Sequence, residues 1–232
     1  LSEIQFNFKS SEASSNAISI SHSKFREFFT EVIPVTESHS IKKDWLRLAE
    51  EAIEPNPFYE SDYLTALVNN VCINEKHFLV LVWSETTPRQ LLGLFPVTKK
   101  DIRHGFPIAV TCFSFDSLVG ICTPLISSHA PKEIFDSFIN VIHKHRYLPD
   151  ILHIPEFYIN GAVGEVLEDI VKSRKLLKNV TKEFSRAAAF CGLDFETYTS
   201  RWTRKKARNI RSRERKLKSQ GKLSFEIIDQ TN

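Results

Sequence analysis

HFLVLVWSETTPRQLLGLFPV, residues 77–97, holds two apolar runs, 77–83 and 90–97, on either side of a six-residue polar link that contains Pro88. Both runs have the length and the residue types of strands, so the stretch predicts a β-hairpin. FPIAVTCFSF, residues 106–115, predicts a third strand, apolar enough to be covered on both faces. Three strands in succession begin a sheet, and the segments around them decide its class.

Upstream, Ile41, Trp45, Leu48 and Ala52 recur at spacings of four, three and four, which is one face of a helix, with Ser40 as its predicted cap. Pro55 and Pro57 end that helix, and Ser61 is the predicted cap of a second one carrying Leu64, Leu67, Val68 and Val71. Residues 24–35 predict a first strand, with a short helix as the alternative. Residues 1–23 open on an alternating Ile4, Phe6, Phe8 run and become Ser-rich, which predicts an N-terminal arm.

Downstream, a loop through Gly120 and Pro124 leads to Pro131, suited to the first position of a helix reaching about Arg146. Ile134, Phe138, Ile142 and His145 lie on its one apolar stripe. A short strand at 151–154, a helix at 161–172 and two strand candidates at 175–181 and 184–190 follow. The succession β-α-α-β-β-β-α-β-α-β-β describes an α/β domain over residues 24–193, a mixed sheet flanked by helices.

The charge is unevenly spread. Residues 201–222, RWTRKKARNIRSRERKLKSQGK, hold eleven Lys or Arg and one acid, Glu214, a formal +10, whereas the whole chain is +3. An acidic remainder of −7 is therefore joined to one very basic rod. Helical spacing aligns Thr203, Ala207, Ile210, Glu214 and Leu217 in a narrow stripe beside a ridge of Arg204, Arg208, Arg211 and Arg215, with Gly221 as the predicted C-cap. Leu223, Phe225 and Ile227 then alternate with polar residues like a fresh strand. Residues 194–232 thus predict a long basic helix and the first strand of a truncated second domain. The chain, which has no methionine, reads as a fragment of a longer protein.

With 232 residues, 42% of them hydrophobic and eighteen of them Phe, the chain can bury a sizeable core. Cys72, Cys112, Cys122 and Cys191 sit in apolar runs without C-x-x-C spacing, which predicts buried thiols in a reducing compartment and a cytoplasmic location. No apolar run reaches the length of a membrane span, and no signal-peptide pattern opens the chain.

The element order resembles the GNAT (acyl-CoA N-acyltransferase) fold. A sharper resemblance rests on the junction LDFETYTSRW (193–202), KKARNIRSRERKL (205–217) and GKLSFE (221–226), with NPFYESDYLTAL (56–67) and FSFDSLVGICTPLI (113–126) earlier in the chain. Together these are similar to the CelD/BcsL group, the BioF2-like acetyltransferases, which are tandem GNAT-like domains related to the FemAB peptidyltransferases. The resemblance implies an N-terminal lobe plus the start of a second lobe. It implies an enzyme moving an acyl or acetyl group from acyl-CoA to an amine, in cell-envelope or polysaccharide metabolism. Acetyl-CoA or another acyl-CoA would be a co-substrate, with no tightly bound cofactor. The partners would be the C-terminal lobe of the same chain and a small-molecule, glycan or peptide amine, with this fragment alone inactive.

A GNAT lobe of this kind would hold the CoA pyrophosphate in a Gly-rich loop led by Arg or Gln at a helix N-terminus. The corresponding residues 116–130 have a single Gly, no leading Arg or Gln, and Pro124 in place of a donor; Gly161 and Gly164 precede a helix at the wrong spacing. No catalytic or cofactor-binding residue is therefore assigned. His143 and His145 are two apart, on different sides of a helix, and form no metal set. His104 and His129 are weak general-base candidates, and Asp116 and Asp150 either meet substrate amines or cap loops.

The candidate site is Arg204, Lys205, Arg208, Arg211 and Arg215, for an anionic ligand or an interdomain contact. Of its readings, the lining of a cleft between two lobes is favoured. Nucleic acid is disfavoured by the acidic remainder and the lack of a reader motif, and a membrane surface by the narrow apolar stripe. A solvated charged helix is the plainest alternative. For the chain as a whole, the alternative to an acyltransferase lobe is a non-catalytic basic module that binds nucleic acid or another polyanion through residues 201–222.

Overall fold

The computed structural model describes residues 2–7 as backbone and residues 28–101, 107–114, 117–185 and 194–224 in full. The chain divides into two compact units, Leu1–Ser185 and Arg186–Asn232. In chain order the first unit is built from β1 (Ser2–Asn7), β2 (Phe28–Pro34), α1 (Lys42–Glu51), α2 (Ser61–Asn70), β3 (His77–Ser84), β4 (Leu91–Lys100), β5 (Val110–Phe113), β6 (Leu125–Ile126), α3 (Pro131–Lys144), β7 (Ile151–Phe157), α4 (Ala162–Arg174) and β8 (Leu177–Glu183). The second holds α5 (Phe195–Ser200) and α6 (Arg204–Lys218).

The predicted hairpin forms and is central. β3 and β4 run antiparallel, with Val80 opposite Phe95 and Leu81 opposite Leu94. Successive strand residues point to opposite faces, so the unbroken burial of Leu79–Ser84 and of residues 93–98 requires cover on both sides. Helices supply it: α1 and α3 both pack on β4. From α3, Phe138 stacks on Phe95 with centroids 4.1 Å apart, and Phe135 meets the same ring edge-on at 5.4 Å.

The sheet has eight strands in the order β2-β3-β4-β5-β7-β1-β8, with β6 added to β4. Every pairing is antiparallel except β5 with β7, whose connection contains α3. The first unit is thus a mixed α/β domain with a mostly antiparallel sheet flanked by helices.

Several expectations change. The opening residues are not all arm: Ser2–Asn7 is a strand inside the sheet, between β7 and β8. The rest of the predicted arm lies outside the described residues, as do residues 186–190 of the last predicted strand and the strand expected around Phe225 and Ile227. Ser40 does not cap α1, because a 3-10 helix, Val35–Ile41, leads directly into it and Lys42 N–H bonds to His39 O. Ser61 is the first residue of α2 rather than its cap. β6 has no counterpart among the expected strands, and the third strand is shorter than expected. The basic rod is also interrupted: α5 closes at Ser200, Thr203 is extended, and α6 begins only at Arg204. Its C-cap is Ser219, two residues before Gly221.

Candidate functional site

The parallel seam between β5 and β7 is where an otherwise antiparallel sheet changes character. Its register covers only Thr111 with Leu152 and Cys112 with His153. Beyond it the strands take other partners: Ser114 N–H bonds to Pro96 O, and Ile154 pairs with Ile4 of β1. The chain's own loop fills the opening. Cys122 N–H donates to Glu156 O at 3.1 Å, Tyr59 Oη donates to Ser114 O at 2.9 Å, and the Asn56 amide donates to Ile121 O and Thr123 O. Glu156 has φ 48°, a left-handed conformation rare for a non-glycine residue, and its carbonyl is the one that receives the loop.

The same seam brings Cys112 Sγ to 3.3 Å from His153 Nδ1. A Cys–His pair has the make-up of a nucleophile and its base, but Cys112 and His153 are 6% and 5% exposed, so it is an interior hydrogen bond. Burial pushes the neighbouring Cys122 thiol well above its ordinary range, against the opposing effect of its hydrogen bond with Tyr59. Burial, and then Cys122, do the same to the Tyr59 hydroxyl. Both stay protonated at neutral pH, and a protonated thiol is a poor nucleophile.

Neither the N-terminus of α3 nor that of α4 presents a full set of free N–H donors. At α4, Glu54 Oε2 accepts from Val163 N–H at 3.0 Å, capping a helix more than a hundred residues away in sequence. Gly161 is needed for that approach, since a Cβ there would lie 1.8 Å from Glu54 Oε1, and a Cβ on Gly164 would lie 2.1 Å from Ile159 O. Close packing, rather than phosphate binding, accounts for both glycines. At α3, Pro131 removes a donor and the cap residue, Ala130, is left-handed with no side-chain bond. Between the 3-10 helix, α1 and α2 lies a cavity of about 410 Å³, lined by Val35, Trp45 and Ala66 and by Lys42 and Asp62, whose Nζ and Oδ1 are 2.6 Å apart.

The five residues singled out for anion binding all lie on α6 and all are exposed. At ~100° per residue, Arg204, Arg208, Arg211 and Arg215 share an arc of about 60°, with Lys205 beside it. No α6 residue is buried. Among the described residues the ion pair recorded on the helix is its own, Lys218 Nζ to Glu214 Oε1 at 2.8 Å. Thr203 Oγ1 caps it by accepting from Lys206 N–H at 3.2 Å. Lys206 Nζ lies over the Trp202 ring at 5.0 Å, and Phe195 and Tyr198 meet the same ring edge-on at 6.5 and 5.8 Å. The aromatic lead-in is thus a small cluster that steadies the start of the helix.

Of the weaker candidates, His104 and Asp116 lie outside the described residues. His143 Nδ1 is 3.7 Å from Asp150 Oδ1 at the surface, and His129 is exposed beside Ser127. Among the described residues no group of three or more His, Cys, Asp or Glu is placed to hold a metal. No described helix is long and apolar enough to cross a membrane. The Cys112–His153 pair and the Glu54 cap escaped the sequence because each joins distant segments without a local motif. No family model matches the chain, and neither the curated proteins nor the solved structures contain a match to it.

Proposed function

We propose that this chain is the acceptor-side lobe of a GNAT-type N-acyltransferase whose acyl-CoA site belongs to a second lobe. The observation that carries the reading is the β5–β7 seam: one parallel pair, connected through α3, in an otherwise antiparallel sheet that follows a strand, two helices and a strand meander. Apart from β1 and β6, that order is the one the resemblance to the GNAT fold implies.

Three features argue for acyl-CoA being held elsewhere. The seam is filled by the loop around Cys122, a carboxylate already sits on the N-terminus of α4, and Pro131 weakens that of α3. A diphosphate needs free N–H donors and positive potential; the α4 end has a donor taken by Glu54, and the α3 end lacks the Pro131 donor and carries Glu133 in its first turn. In the reaction, the acceptor nitrogen attacks the thioester carbonyl, a C–N bond forms, the C–S bond breaks and CoA leaves as its thiol. The ammonium-derived proton passes to a base, and a donor meets the oxyanion. The part of this lobe is to hold the amine, and the cavity beside Lys42 and Asp62 suits it, since Asp62 can exchange one ammonium partner for another.

The test is calorimetric titration of acetyl-CoA into residues 1–232 and into a chain extended past Asn232. The expected result is binding to the longer chain alone, with thiol release when amines are supplied. Binding of equal strength by the shorter chain overturns the placement of the acyl-CoA site, and binding by neither overturns the acyltransferase reading.

A further inference from the structure

We propose that α6 is a DNA-binding helix that lies in the major groove of a B-form duplex and is held there by phosphate contacts. This goes beyond the acyltransferase reading and does not depend on it. The inference starts from how the charge is distributed around the helix. α6 carries nine Lys or Arg in fifteen residues. At ~100° per residue they spread over about 240° of its circumference. The remaining third holds Ala207, Ile210, Glu214 and Leu217.

A flat anionic surface can meet only one side of such a helix. It would leave most of these cations unused, and it would ask for an apolar face that Ile210 and Leu217 alone do not provide. A groove meets a helix from both sides. The major groove of B-DNA is about 12 Å wide, admits one α-helix and has a phosphate strand along each wall. The ridge of Arg204, Arg208, Arg211 and Arg215 faces one wall, and Arg213, Lys206 and Lys216 point toward the other. The A-form major groove is too deep and narrow for this seating.

The cations are available. None is buried, and among the described residues the ion pair recorded for these cations is that of Lys218 with Glu214. Like charges at four-residue spacing weaken a free helix, and phosphates remove that repulsion. The helix is preformed by the Thr203 cap and by Lys206 on Trp202. The −7 of the remaining residues is spread over the chain outside 201–222, whereas nine cations are concentrated in the fifteen residues of α6.

The experiment is fluorescence anisotropy of a 20-bp DNA duplex with the 232-residue chain across ~50–200 mM salt. Four ridge contacts at about −0.9 each give a log–log slope of at least about −3.6, or roughly a hundredfold loss of affinity over that range. Arg204→Gln, Arg208→Gln, Arg211→Gln and Arg215→Gln together are expected to remove about 3–4 from the slope. Glutamine is a good helix former, so circular dichroism is expected to show the helix retained. A control with the same charge change in the first unit, Lys43→Gln, Lys132→Gln, Lys144→Gln and Lys172→Gln, is expected to keep the slope. An equal loss in the control, a flat salt dependence, tighter binding to an RNA duplex, or preference for phosphatidylserine vesicles at matched phosphate each overturns the proposal.

Discussion

α3 and α6 are 14 and 15 residues long and are held by opposite means. α3 buries Ile134, Phe135, Phe138, Ile139 and Ile142 and has no side-chain cap; α6 buries nothing and has a capping Thr203. The first is specified by what it packs on and tolerates a poor start. The second is specified by its own sequence: a cap, a Glu214–Lys218 pair four residues apart, and basic residues in its last turn, where the helix dipole is negative. A helix that owes nothing to a core leaves its surface for a ligand, whereas α3 has one face committed to the sheet.

The largest expected effect tests that contrast directly. Phe138→Ala removes the ring stacked on Phe95 and touching Phe113 and Phe135, and is expected to cost about 3–5 kcal/mol in urea unfolding. Ile210→Ala or Leu217→Ala is expected to stay within about 0.5 kcal/mol. A cost above about 2 kcal/mol at Ile210 would mean that the α6 stripe is docked, and the two helices would no longer differ in kind.

Next in size is the polar plug at the seam. Tyr59→Phe takes the donor from a buried carbonyl, Ser114 O, and is expected to cost about 1–3 kcal/mol. Because the loop bonds to β7 through Cys122 N–H and Glu156 O, amide exchange at Cys122 should accelerate in the variant. Unchanged protection there would show that Asn56 holds the loop without help.

How much of this was legible follows the range of each interaction. β3 and β4 could be read because residues 78–83 and 91–97 hold no charged or hydroxyl side chain and the turn is local. α3 could be read because Pro131 and the Ile134, Phe138, Ile142 spacing are local too. β6 could not: Leu125 and Ile126 are two residues after a proline, too few to show a period. Nor could the place of β1, since the alternation of Ile4 and Phe6 says strand but not that its neighbours lie some 150 and 175 residues away. The ridge on α6 was legible in full, because charge at helical spacing needs no partner to be recognised.

Caps give the smaller effects and sharpen the same contrast. Thr203→Ala is expected to cost the start of α6 about 1 kcal/mol, seen as fraying of its first turn in amide exchange rather than as a shift of the first unit's unfolding. A shift of that unfolding instead would show α6 to be coupled to the core.

Glu54 is the counterpart in the first unit, a cap supplied from across the fold and partly buried. Burial holds its carboxyl above the ordinary value of 4.5, against the opposing N–H donors of Val163 and Ala162. A carboxyl raised in the folded state favours folding most when protonated. Its contribution is therefore fully present below the unfolded value, falls as pH rises from about 4.5 through the folded value, and is level above that. Glu54→Ala loses the cap and is expected to cost about 1 kcal/mol at pH 7. Glu54→Gln keeps an acceptor for Val163 N–H without a buried charge. Its stability relative to the natural chain is thus expected to rise between pH 4 and pH 7 in paired urea titrations. If Glu54→Gln instead falls behind at pH 7 by as much as Glu54→Ala, the attraction of the carboxylate to the α4 dipole outweighs its burial, and this cap works by charge where Thr203 works by geometry alone.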